Sequence, residues 1–158
     1  MSRHSLDAYD IRILKALQLC DSNPLHELAD QIKLSVSQCS RRISRLKEQG
    51  YIKQQVTLLD PASIGLDVEA FISVSLSHHT PEQAAHFQDR VKDMLPVMEC
   101  YAVTGSDADY LLRIVATNQK SLSQFLMNEL MSIPGVCNIK TSLMLNAIKS
   151  TTALPLDL

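Results

Sequence analysis

The residues best suited to chemistry in this chain cluster between Ser35 and Gly50: Ser37, Gln38, Arg41, Arg42, Arg45 and Lys47. Guanidinium groups bind phosphate or guanine through paired N–H donors. A glutamine amide matches adenine, and a serine hydroxyl serves backbone or base. Such groups read a nucleic acid only if one rigid element presents them together. At about 100° per residue, Ser37, Gln38, Arg41, Ser44 and Arg45 fall on one side of a helix, with Arg42 on its flank. Val36, Cys39, Ile43 and Leu46 fall on the opposite side. The stretch also carries its own boundary marks. Ser35 and Gln38 form an S-x-x-Q capping box, and Gly50 supplies a left-handed residue where the helix ends. A solvated basic face would have the same composition. Lys47 and Lys53 suit the phosphate backbone or water.

A second constellation is Thr104-Gly105-Ser106-Asp107-Ala108-Asp109. Glycine lets a small molecule approach the backbone, whose N–H groups can take a carboxylate. Asp107 or Asp109 could hold an ammonium. Pro134-Gly135 reverses the chain at a sheet end and supplies a neighbouring wall. An ordinary hairpin turn uses the same residue types. His78 and His79, adjacent on a strand, point to opposite sides, which argues against a metal pair. The scattered Ser, His and Asp residues show no nucleophile elbow, phosphate loop or metal spacing. Neither an enzyme, a metal site nor a bound cofactor is expected.

The elements that must position these groups follow from periodicity and punctuation. Asp7 caps a first helix, with Leu6 and Ile11 as a hydrophobic staple, and Asp21-Ser22-Asn23-Pro24 breaks it. Leu25, Leu28, Ala29 and Ile32 form the apolar face of a second helix. A short turn leads to Ser35. Two helices so joined, the second basic, make a helix-turn-helix unit over about 26–45, and the first helix completes a trihelical core. Residues 51–58 read as a strand. Residues 1–60 therefore form one domain and 61–68 a turn-rich linker. In residues 69–158 strands alternate with helices: 70–76, then a helix from the Thr80-Pro81-Glu82-Gln83 capping box to about Leu95. Strands 97–104 and 110–116, a helix over 121–131 and a long strand over 136–148 follow. This βαββαβ order predicts one antiparallel sheet with two helices on one face, and an open face that a twofold partner would cover.

Charge separates the halves. The chain of 158 residues carries a net charge of −2. Residues 1–60 hold nine Lys/Arg against seven acids, and the remainder six against ten. A basic module that meets a polyanion, joined to an acidic one that does not, fits this asymmetry. No apolar run approaches a membrane span, and Met1-Ser2-Arg3-His4 leads straight to a capped helix with no signal segment. Cys20, Cys39, Cys100 and Cys137 form no C-x-x-C pair and sit in apolar patterns, so buried free thiols and a reducing cytoplasm are expected.

Leu6-Asp7 through Asp10, Ile13-Leu14, Glu27-Leu28-Ala29, Leu34-Ser35, Cys39-x-Arg41-Arg42, Leu46-x-x-x-Gly50 and Gly65-Leu66 together resemble the DNA-binding half of the Lrp/AsnC (feast/famine) family. Thr104-Gly105, Asp109-Tyr110-Leu111-Leu112, Pro134-Gly135-Val136 and Ile148-Lys149-x-Thr151-Thr152-x-Leu154-Pro155-Leu156 resemble its regulatory half. The resemblance covers nearly the whole chain. It implies an α+β protein with an N-terminal winged helix-turn-helix and a C-terminal ferredoxin-like βαββαβ sandwich. It further implies a transcriptional regulator that binds double-stranded DNA, forms dimers that commonly assemble into octamers, and takes an amino acid between dimers. Two departures stand out. Lys33 occupies a turn that usually holds glycine, and the loop from Gly105 to Asp109 is one residue longer than usual. Two other readings fit parts of the sequence: a DNA-compacting architectural protein of the same fold, and a regulatory subunit of a metabolic enzyme.

Overall fold

A computed structural model describes residues 6–19, 24–105 and 107–156. The expectations for Cys20, for the break at Asp21-Ser22-Asn23 and for Ser106 fall outside these residues. The chain divides into two compact units, residues 1–57 with 149–158, and residues 58–148. Residues 149–156 group with the first unit and not with the sheet.

The first unit holds α1 (Ala8–Leu19), α2 (Leu25–Ile32) and α3 (Val36–Glu48). Asp7 Oδ1 accepts the Asp10 N–H at 2.8 Å, and Asp10 Oδ2 takes the Asp7 N–H at 3.3 Å, so α1 starts from a reciprocal cap. Lys33 ends α2 at φ 62°, ψ 49°. The Leu34 N–H then reaches back to Ala29 O at 2.9 Å, a Schellman closure. The turn does require the left-handed region, and Lys33 enters it at a cost of about 1 kcal/mol. Ser35 starts α3 through the complete capping box with Gln38, and Gly50, at φ 77°, follows its end. Ile13, Ala16, Leu28, Ala29, Ile32, Cys39 and Leu46 form the core. Val36, assigned to the buried stripe by periodicity, is the first residue of α3 and is exposed. Residues 149–156 return to this unit: the Gln18 amide donates to Leu154 O at 3.2 Å and accepts the Leu154 N–H at 2.6 Å.

The segment 51–58 is no strand in the single chain. A strand is defined by its partner; among the described residues no ladder pairs with this segment, and Val56 and Leu58 stay exposed.

The second unit is a four-stranded antiparallel sheet in the order β2-β3-β1-β4, from β1 (Val68–Leu76), β2 (Val97–Ala102), β3 (Tyr110–Ala116) and β4 (Val136–Leu143). The helices are α4 (Pro81–Lys92) and α5 (Gln119–Phe125), the latter continuing as a π-helical turn over Leu126–Leu130. Thr80 caps α4, with Pro81 at its first position. Ala70, Ile72, Val74 and Leu76 alternate inward and pack on Phe87, Leu122, Phe125 and Leu130. Phe87 and Tyr110 contact at 4.5 Å between centroids. β4 ends at Leu143, short of the expected Ile148, because its pairing with β1 ends at Ala70↔Leu143, near the start of β1. Cys39 is buried as expected. Cys100 and Cys137 are exposed, since each lies on an edge strand that lacks a neighbour on one side.

Candidate functional site

Helix α3 exposes Ser37, Gln38, Ser40, Arg41, Ser44, Arg45 and Lys47, while Cys39 and Leu46 anchor it to the core. The capping box has a consequence for recognition. Gln38 Oε1 accepts from Ser35 N at 3.2 Å and from Ser35 Oγ at 3.1 Å, so its carbonyl is already engaged. A bidentate contact to adenine would have to break that cap. Ser37 Oγ lies 3.2 Å from Ser35 Oγ.

The arginines differ from one another in a way their spacing does not reveal. Arg41 is exposed, with no ion pair among the described residues. Arg42 Nη1 donates to Asp7 Oδ2 and to Asp10 Oδ1, both at 2.7 Å. Its guanidinium also lies 5.5 Å from the centroid of the Tyr9 ring. Arg45 Nη2 donates to Asp10 Oδ1 at 2.8 Å and Oδ2 at 2.6 Å. Asp10 is 2% exposed, the one buried charged residue among those described. Burial alone would raise the Asp7 carboxyl, but the Asp10 N–H and the Arg42 guanidinium outweigh it and hold the group below its ordinary value. The bonds from Asp7 and Asp10 push Arg42 higher still. Asp7, just before α1, and Asp10, within it, thus tie two arginines of α3 to the first helix. Asp7 and Asp10 read as plain cap and first-turn acids in the sequence; the signal that could have found them is an excess of acid facing a helix with three arginines.

The Gly105 turn lies at the sheet end where β1 and β2 finish and β3 and β4 begin. Gly105 has φ 80°, and a Cβ there would point into open space. Beside it is a cavity of about 370 Å³, walled by Gly105, Asp107 and Ala108 from the loop, Ser73 and Ser75 from β1, and Asn138 and Lys140 from β4. Register explains the wall: Ser73 pairs with Lys140 and Ser75 with Asn138, so these polar residues share the face away from the helices. Alternation of Ser73 and Ser75 between apolar neighbours was the sequence signal for them. Asp107 is 95% exposed, and its Oδ2 lies 3.8 Å from Lys140 Nζ. Its carbonyl accepts from Ser75 Oγ at 2.7 Å.

Asp109 does not line this cavity. Its Oδ2 accepts the Leu76 N–H at 2.7 Å and its Oδ1 lies 3.0 Å from His79 Nδ1. His78 and His79 sit past the end of β1, not on a strand. Thr104 and Pro134-Gly135 are outside the cavity wall as well. Gly135, at φ 94°, lies against Gln83, where any Cβ would collide. It accepts the Ser77 N–H at 2.8 Å and so fastens the sheet end near the start of α4. Among the described residues no group of three His, Cys, Asp or Glu side chains is arranged to hold a metal ion.

Residues 69–154 match the model of the Lrp/AsnC ligand binding domain, and residues 6–53 match that of a winged helix-turn-helix DNA-binding domain. The chain belongs to the Lrp/AsnC family. It is similar to the Bkd operon transcriptional regulator of Pseudomonas aeruginosa, at 37% identity over 96% of this chain and 98% of that protein. It is similar also to the DNA-binding transcriptional activator DecR of Escherichia coli, at 32% identity over 96% and 99%. Among solved structures, a transcriptional regulator of Neisseria meningitidis in complex with L-Met superposes with TM-score 0.92 at 37% identity, covering 97% of this chain and 98% of that one. This Lrp/AsnC protein is therefore a DNA-binding transcriptional regulator and not an enzyme. Among its described residues no helix is long and apolar enough to cross a membrane.

Proposed function

We propose that this regulator reads DNA through the exposed face of α3 and adjusts that binding in response to an amino acid held beside the Gly105 turn. The carrying observation is the cavity of about 370 Å³ in which an acid, Asp107, and a base, Lys140, lie side by side. An α-amino acid presents the complementary pair, a carboxylate for Lys140 and the turn N–H groups, and an ammonium for Asp107. The L-Met bound to the Neisseria relative supports this ligand class. On the DNA side the direct contacts fall to Ser37, Arg41, Arg45 and Lys47, with Gln38, Arg42 and, through Nη2 alone, Arg45 partly engaged within the protein.

The regulator acts as a homo-oligomer in the cytoplasm. The sheet face away from the helices carries Phe71, Tyr101 and Leu111 around Arg113, which pairs with Glu69 at 3.1 Å and Glu99 at 2.9 Å. A twofold partner would cover this face, and dimers would associate further, up to an octamer. An effector shifts DNA binding only if it favours one assembly state over another, typically by about 1–3 kcal/mol.

Titration calorimetry of the full chain against the amino acids tests the ligand. One of them should release heat with wild type and none with Gly105→Trp, whose indole would fill the cavity. Equal heats from both proteins would place the effector elsewhere. Light scattering at micromolar concentration should report an even-numbered assembly, and a monomer would refute that part of the reading.

A further inference from the structure

The cluster at the root of α3 asks what a buried, doubly engaged carboxylate does beneath a DNA-reading helix. Nominally α3 offers four cations, Arg41, Arg42, Arg45 and Lys47. Arg42 spends one nitrogen on both acids, is 24% exposed on its side chain, and lies by the Tyr9 ring. Arg45 faces one acid only, through Nη2, and its side chain is 46% exposed. A guanidinium tied to a carboxylate through one nitrogen, Nη2, keeps Nε and Nη1 for another acceptor, and it has fewer orientations to lose on binding. A guanidinium shared between two carboxylates has little charge left to displace counterions from DNA.

We propose that Asp10 is a positioning residue for DNA recognition: it makes Arg42 a strut between α1 and α3 and holds Arg45 in the orientation that meets its acceptor on DNA. The acceptor pair is either the O6 and N7 of a guanine or the oxygens of a phosphate. This proposal rests on the reading of α3 as the DNA-reading helix. It divides the three arginines by role: Arg41 and Arg45 contact DNA, and Arg42, on the flank of the polar side, does not.

The salt dependence of binding separates these roles. Each phosphate neutralised adds about 0.9 to the slope of log affinity against log salt. Full-length protein is titrated by fluorescence anisotropy across a salt series, on a random-sequence duplex and on a duplex carrying a site selected by the wild type from a randomised pool. Thermal melts establish folding. Arg41→Ala should lower the slope by about one on both duplexes. Arg42→Met should leave the slope unchanged. Asp10→Asn should steepen it on the random duplex, as Arg42 is released, while preference for the selected site falls about tenfold or more as Arg45 loses its orientation. A merely structural role would weaken both duplexes alike and leave the preference intact. Asp7→Asn keeps a side chain that caps α1 and leaves Arg45 held by Asp10. It should steepen the slope with no loss of preference, and it decides the matter if Asp10→Asn fails to fold. For Arg45, loss of preference with an unchanged slope in Arg45→Met identifies a guanine, and a slope lowered by about one identifies a phosphate. The proposal is overturned if Arg42→Met lowers the slope as much as Arg41→Ala, or if a folded Asp10→Asn keeps its preference. Wild type that binds neither duplex in a salt-dependent manner would refute the DNA reading itself.

Discussion

Asp107 and Asp109 are two residues apart and equally plausible partners for an ammonium by sequence, yet their surroundings predict opposite mutant behaviour. Asp109→Ala removes the acceptor of the Leu76 N–H, a bond of 2.7 Å at the end of β1 where Leu76 is 5% exposed. A hydrogen bond to a charged group contributes about 1.5–3 kcal/mol, and the orphaned N–H adds its desolvation to the loss. The His79 pairing adds little, because the imidazole is largely exposed. A loss of about 1.5–3 kcal/mol in a unit of this size lowers its melting temperature by roughly 6–24 °C. Asp107→Ala removes an exposed carboxylate and a long pairing with Lys140, and should change stability by no more than about 0.5 kcal/mol. Calorimetric melts and amino-acid titration of the two full-length variants form the assay. Asp109→Ala should melt early and still bind the effector when folded, whereas Asp107→Ala should melt normally and bind weakly. The reverse pattern, an unshifted melt with abolished binding in Asp109→Ala and normal binding in Asp107→Ala, would refute the argument and make Asp109 the ligand.

Other variants test the scaffold beneath α3. Ser35→Ala removes the oxygen that accepts the Gln38 N–H and should cost about 1 kcal/mol in urea denaturation, while leaving Gln38 Oε1 held by the backbone N–H of residue 35 alone. Lys33→Gly relieves a side chain at φ 62° and should raise stability by up to about 1 kcal/mol; a fall would mean that the Lys33 side chain makes compensating contacts. Acid should loosen α1 from α3. Because the Asp7 carboxyl titrates below its ordinary 3.8 when folded, its contribution is complete above that value and is lost as pH falls through the lower, folded one. Melts from about pH 6 down to about pH 3 should show the wild type losing this increment and Asp7→Asn lacking it throughout.

Helix α3 was legible in the sequence because its signals are local. Ser35, Gln38 and Gly50 mark both ends within one stretch, whereas the left-handed turn at Lys33 was signalled only by the glycine that the family usually has there. The sheet was legible for a similar reason, since alternation in 70–76 and the cap at Thr80 state their own periods. What escaped depends on partners distant in sequence. The ties from Arg42 and Arg45 to α1 span more than thirty residues, and helical projection cannot show them. Ser73, Ser75, Asn138 and Lys140 became one wall only once the register of β1 and β4 was known. Asp109 looked like a ligand because its type was right, and only the Leu76 N–H showed the carboxylate to be engaged. Residues 51–58 have the composition of a strand, but pairing is a property of two segments.

The Gln18–Leu154 amide clamp joins residues 136 positions apart. In terms of synthesis, the three helices leave the ribosome before the sheet, and the segment that closes on Gln18 leaves after it. Until that segment emerges, the helical unit stands without this contact, on the strength of its caps and its small core. Closing a loop of that length is entropically costly for an unfolded chain, but a folded sheet shortens the effective path between its ends. Proteolytic trimming of the tail, or a ribosome that stops short of it, would thus yield a regulator whose sheet is intact and whose DNA-reading unit lacks its final fastening.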